Sequence, residues 1–348
     1  MNKSIKKISV FFLIFLVFTV FHQNVCLAAE YDVPVKTDPE TVERMQVAGV
    51  SMRGDGSFFV VGYKDGGISV FSVENDFVRK VEGFNSVVNP NITSICFDPI
   101  YFKVFAGLAN GSIAVFEERS IKYLTDPEIT HVDKVNNVKV ARTANVLIST
   151  TESGIVSLWD LNTFTPIRSK NLGRQMRAAD ISDDAKRVVC SFRDDARVFV
   201  LDDQLNPIKN IGGDDEKHRM LFPASISGDG RRIVHGLYVW DDLNFVRTLD
   251  YTSGPIGQTN VVAINMSHDG KVVGTGSPLN LWDVGTGKCL TSDRCVNTGD
   301  LIVDLSMSDD GKKVVTLNTN NVVKLRDVSE LLPKTKTWGE WFRGLLDW

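Results

Sequence analysis

Several things are scarce in this chain, and each scarcity excludes something. Basic residues do not outnumber acidic ones: 39 Lys and Arg stand against 43 Asp and Glu, a formal charge of −4. A nucleic-acid binder would show a strong positive excess. Only five cysteines occur, with no CxxC pair and no Cys/His spacing of the kind that binds zinc, so a metal-stapled fold is excluded. Only five histidines occur, which leaves little material for acid–base chemistry. Helical periodicity is missing from residues 31–327, and nothing after Ala29 is long and apolar enough to cross a bilayer as a helix. Hydrophobic residues at 43% and charged residues at 24% exclude disorder as a description of the whole chain.

What is present begins with an address. Lys3, Lys6 and Lys7 precede an apolar run from Ile8 to Phe21, and Cys26, Leu27, Ala28 and Ala29 supply the small residues a signal peptidase needs. The expected cut follows Ala28, with Ala29 as the neighbouring alternative. An uncleaved signal anchor is the other reading, disfavoured because the run is short for a membrane span. Asn24 and Val25 before Cys26 do not fit a lipoprotein signal. Residues 1–28 hold three lysines and no acid, so cleavage takes the charge from −4 to −7. The expected location is therefore the periplasm, the cell envelope or the extracellular space.

The remainder is periodic. A strand ending apolar, polar, apolar, large, polar recurs as ISVFS around Phe71, IAVFE around Phe116, VSLWD around Trp159 and VFVLD around Leu201. It continues as LYVWD around Trp240, LNLWD around Trp282 and VKLRD around Arg326. The seven large positions lie 39 to 45 residues apart, the length of a four-stranded propeller blade. Upstream of each lies an alternating strand, an acidic turn and a second apolar strand, as in ASISGDGRRIVHG and DLSMSDDGKKVVT. The pattern predicts an all-β, seven-bladed β-propeller over residues 31–327. Matching Ser51 to Ser306 in the unit places Tyr31–Lys36 as the outer strand of the last blade. A closed ring of sheets leaves no open seam.

Trp159-Asp160, Trp240-Asp241 and Trp282-Asp283 stand where WD-repeat propellers close the third strand of a blade. The chain resembles a divergent member of that WD40-repeat family over about 300 residues. Asp202 and Asp327 keep the acid without the Trp, and the family's upstream Gly-His dipeptide is absent from every unit. The resemblance implies a structural role for the Trp-Asp pairs and a scaffold that binds proteins.

The acidic turns GDG, SDDAK, SGDG, SHDG and SDDG offer too few convergent oxygens each for calcium, which needs six or more. They read as hairpin turns on one rim. Arg53-Gly54-Asp55 lies inside the first of them and spells an adhesion tripeptide by coincidence. DVGTGK at 283–288 loosely resembles the repeat of periplasmic quinoproteins but occurs once. His131, His218, His235 and His268 remain after cleavage, none with a visible nucleophile beside it, so no catalytic residue is assigned. Cys96 and Cys190 sit in apolar runs and read as core. Cys289 and Cys295 flank the polar turn TSDR, where an oxidising compartment leaves a local disulfide or two thiols as alternatives.

Two surfaces are candidates for binding. The repeat phase assigns Tyr63, Lys64, Arg174, Arg177, Arg193, Lys217, His218, Arg219 and Arg294 to the face bearing the loops between blades. That is a basic cluster on an acidic chain. Beyond residue 327 the chain ends in WGEWFRGLLDW, with Trp338, Trp341, Phe342, Leu345 and Trp348 near helical spacing, the mark of a short amphipathic docking tail. The expected function is a non-catalytic, exported interaction scaffold: a protein partner, no nucleic acid, no cofactor, no metal, and a monomer. The alternatives are a propeller that binds or turns over a small molecule at its central channel, and a secreted effector that binds a host protein.

Overall fold

The computed structural model describes residues 29–33, 46–74, 77–81, 91–117, 120–124, 133–213, 221–250, 261–276, 279–291 and 301–333. The expected signal segment 1–28 and the tail residues Trp338, Trp341, Phe342, Leu345 and Trp348 lie outside them. So do Lys217, His218, Arg219, Arg294, His131 and Cys295. The helical element among the described residues is one 3-10 turn, Ser329–Leu331.

Seven antiparallel sheets form, one per sequence repeat. Their inner strands are Val47–Met52, Ile92–Phe97, Val135–Ala141, Met176–Ile181, Ala224–Ile226, Ile264–Met266 and Ile302–Met307, which number the blades one to seven. Each inner strand neighbours the next, and that of blade seven returns to that of blade one. The chain is a seven-bladed β-propeller. Blade six has three regular strands. Its fourth place is taken by a bridge from Cys289 to Trp282 and by the Leu290 N–H donating to Leu281.

The large repeat positions do what a buried third strand requires. Phe71, Phe116, Trp159, Leu201, Trp240, Trp282 and Arg326 are all buried. The apolar core falls into seven clusters, each shared by two adjacent blades; Trp159 packs with Phe105 and Leu147, for example, between blades two and three. Each fully buried large apolar side chain contributes roughly 1.5–3 kcal/mol. The Trp-Asp acids cap the following turn: Asp160 Oδ1 accepts from the Asn162 N–H, and Asp283 Oδ1 from the Thr286 N–H. Trp159 Nε1 donates to Ser149 Oγ at 2.8 Å, whereas Trp282 Nε1 is buried without an acceptor.

The ring closes on the N-terminal strand Ala29–Asp32, which pairs with Val323–Asp327 with Tyr31 opposite Leu325. It begins two residues before the expected Tyr31, and the Val33 N–H adds one bond to Val323 O at 3.1 Å. Residues 34–36, the rest of the expected strand, are not described. Arg326, the one charged residue at a large repeat position, is explained by this strand. Its Nε donates to Glu30 Oε2 at 2.8 Å and its Nη1 to Thr316 Oγ1. Only 1% of its side chain is exposed.

Candidate functional site

The inner strands line a central channel in layers, and the repeat fixes which residues share a layer. One layer holds Ser51, Cys96, Lys139, Asp180, Ser225, Asn265 and Ser306. Several of these side chains accept the backbone N–H of the next blade: Ser51 from Phe97, Asp180 from Ile226, Ser225 from Met266, Asn265 from Met307 and Ser306 from Met52. The blades are thus stitched by side chain to backbone as well as by apolar contact. Lys139 cannot accept a hydrogen bond, so the Ile181 N–H turns to Asp180 Oδ1 instead. Burial opposes the Lys139 charge, but Asp180 and Asp304 outweigh it and hold its pKa above the usual lysine value. Asp304 in turn accepts the Val50 N–H at 2.9 Å. Burial pushes its carboxyl up to about 6, against that hydrogen bond and the attraction of Lys139.

Three residues further along, the next layer holds Gly54, Pro99, Arg142, Asp183, Gly228, His268 and Asp309, around a space of only about 120 Å³. Arg142 of blade three pairs with Asp309 of blade seven, and His268 of blade six pairs with Asp183 of blade four. Gly54 and Gly228 lie directly beneath these pairs, where a Cβ would collide with them. Backbone bonds tie the same layer: Asp309 N–H to Gly54 O, Asp183 N–H to Gly228 O and Gly228 N–H to His268 O. The hydrogen bond to Asp183 holds the His268 pKa above the ordinary histidine value, against partial burial. This end of the channel, the end of the acidic turns, is sealed.

The acidic turns themselves are closed circuits. In blade five Ser227 Oγ donates to Asp229 and accepts the Arg232 N–H, while Asp229 accepts the Arg231 N–H. Blades four, six and seven repeat the circuit with Ser182–Asp184, Ser267–Asp269 and Ser308–Asp310. The third turn residue is at positive φ, as Gly230 at 74° and, in blade four, Ala185 at 56°. Among the described residues no three His, Cys, Asp or Glu side chains converge to hold a metal. Arg53 and Asp55 of the adhesion-like tripeptide pair with one another at 3.2 Å.

The opposite end is a cavity of about 310 Å³, lined by Thr93, Ser94, Asn137, Lys139, Arg177, Arg193 and Asp304 among others. Arg177 and Arg193 come from the sequence-assigned binding face, and the structure brings them to one cavity. Burial, and then the charge of Arg193, depress the Arg177 pKa. The remaining described members of that face separate. Lys64 is exposed and donates to Gln46 Oε1. Arg174 is engaged elsewhere, 3.2 Å from Asp195 and over the Phe199 ring. Tyr63 is a correction: it is fully buried with its hydroxyl on Ser69, because it ends a strand one residue before the exposed Lys64 and so points to the other side. Leu221 and Leu301, which sequence reasoning did not single out, stand exposed just before the inner strands of blades five and seven.

Cys96 and Cys190 are buried thiols, and burial pushes them up to about 11 and about 12, which leaves them inert. Cys289 is buried with its Sγ 3.3 Å from Thr291 Oγ1. No family model matches the chain, and no curated protein matches it. No described helix is long and apolar enough to cross a membrane.

Proposed function

We propose that this protein is an exported, non-catalytic WD-repeat-like scaffold that holds a protein partner on the face carrying the interblade loops. The observation that carries this reading is the asymmetry of the channel. One end is closed by paired side chains, while the other opens beside Arg177 and Arg193 and the exposed Leu221 and Leu301. Apolar side chains next to uncompensated arginine are the composition of a contact patch. The rigid ring presents them at fixed spacing, and binding follows from shape and charge complementarity. The leader-like residues 1–28 and the Trp-Asp pairs support the export and family parts of the reading.

The test is site-specific photo-crosslinking in the native exported fraction, with the crosslinker at Lys64, Leu221 or Leu301, and at Ile100 or Tyr101 on the sealed face as the contrast. One partner captured from the first set and not from the second supports the proposal. Capture from the sealed face alone overturns it. A chain truncated after Glu330 run beside the full chain separates the tail from the propeller as the docking element.

A further inference from the structure

The open cavity holds polar groups that the fold leaves unsatisfied. Ser94 Oγ, Asn137 Oδ1 and Arg177 Nε are buried and have no hydrogen-bond partner, and all three belong to residues lining the same 310 Å³ space. Buried polar atoms are nearly always paired, and leaving one unpaired costs roughly 1–3 kcal/mol. Three around one cavity therefore mark the place where a bound molecule would supply the partners.

The charges say what kind of molecule. Arg177 and Arg193 share the cavity, and neither forms an ion pair among the described residues. Arg177 reaches only the Val261 carbonyl, with Nη2 at 3.5 Å. Lys139 already has Asp180 and Asp304 as counter-charges, so the two guanidinium groups are the uncompensated cations here. A guanidinium fork matches a carboxylate in plane and charge, and it loses less hydration than an ammonium on doing so. Asn137 Oδ1 requires a donor in addition. Asp304, on blade seven across the channel from blades three and four, is a second acceptor.

We propose that this cavity binds a small organic acid, a hydroxy or amino acid whose carboxylate lies between Arg177 and Arg193. Its hydroxyl or ammonium group donates to Asn137, and Ser94 completes the set. The other polar wall groups do not compete for it: Asn136 is fully used by the Met176 carbonyl and the Thr150 hydroxyl, and Thr93 by the Gly107 and Val135 carbonyls. The site does not depend on a protein partner occupying the loop face.

The experiment is isothermal titration of the mature protein with L-malate, L-glutamate and succinate at constant low ionic strength, with glycerol as a neutral probe. The expected result is saturable one-to-one binding of malate or glutamate, weaker binding of succinate, which has no donor, and none of glycerol. Arg177→Gln and Arg193→Gln each weaken it by about tenfold or more, the loss of one charge-assisted hydrogen bond. Asn137→Ala weakens malate more than succinate. Arg53→Gln, on the sealed face, changes nothing. Removal of an uncompensated buried cation leaves the free protein at least as stable as wild type, so a thermal unfolding scan verifies that the Arg177 variant is folded. No saturable binding by any of the three acids overturns the proposal, as does binding unchanged in both arginine variants. Photo-crosslinking from Leu221 and Leu301 is unaffected by either result, so the two readings fail separately.

Discussion

Arg142 and Asp309 are 167 residues apart in sequence and meet across the end of the channel, over Gly54. Neither residue stands out in its own repeat. They meet because the ring places equivalent positions of blades three and seven on opposite sides of a narrow opening, and because Gly54 leaves the space above it free. Gly54→Val fills that space and displaces the pair. The expected loss is about 1–2 kcal/mol of stability, read as a fall of a few degrees in Tm.

The second sealing pair responds to pH. His268 has a folded pKa above its unfolded value because Asp183 favours the imidazolium. The pair's stabilisation is fully present below the ordinary histidine pKa and is lost as pH rises through the raised folded one. NMR titration of the His268 ring is expected to give a pKa above that of a free histidine, and Asp183→Asn to bring it down. A ring that titrates identically in both proteins contradicts the pairing.

Asp304 behaves in the opposite sense to a salt-bridged carboxylate. Its folded pKa, about 6, lies above the unfolded value, so the native state takes up a proton more readily and stability falls as pH rises through that interval. Asp304→Asn keeps an acceptor for the Val50 N–H and removes the buried charge. It is expected to stabilise the protein by about 1–3 kcal/mol at pH 7.5 and by little at pH 4, measured as the urea midpoint at each pH.

Asp180 serves three donors at once: the Ile181 N–H, the Ile226 N–H and the Ser225 hydroxyl. It also faces Lys139. Asp180→Ala leaves all of them without their acceptor and is expected to cost about 2–4 kcal/mol. Ser306→Ala, which removes one stitch to Met52, is expected to cost about 1–2 kcal/mol. Equal losses from the two substitutions would contradict the assignment of Asp180 as the shared acceptor.

Glu30 is the counter-charge for the nearly fully buried Arg326. Hydrogen bonds and the positive charge of Lys324 and Arg326 hold its pKa below the usual range, although burial opposes this. Glu30→Ala strands a buried guanidinium and is expected to cost about 2–4 kcal/mol. Arg326→Leu with Glu30→Gln is expected to recover most of that loss, a non-additivity that a double-mutant cycle of Tm or urea midpoints detects.

The architecture was legible because each blade is a local unit. Period-two strands, Asp-centred turns and a large residue closing the third strand are written within 39–45 residues, and all seven large positions are buried where the repeat places them. The channel was not legible in the same way. Its sealing pairs, its stitches and the shared cavity of Arg177 and Arg193 depend on which blades the ring sets side by side or face to face. Arg326 illustrates the boundary. Sequence marks it as a departure from the repeat, and only closure by a strand 296 residues away supplies Glu30 as its reason. Tyr63 illustrates a finer one, since at a strand end one residue decides between core and surface.

That closure also sets an order in time. The strand Ala29–Asp32 is among the first segments synthesised, and its partner Val323–Asp327 is among the last. Until the final blade exists, the opening strand has nowhere to pair, and blade one has no neighbour to cover the flank that buries Phe59 and Val61. Nascent chains therefore carry two raw sheet edges throughout their synthesis. The completed molecule joins its beginning to its end in a single late event.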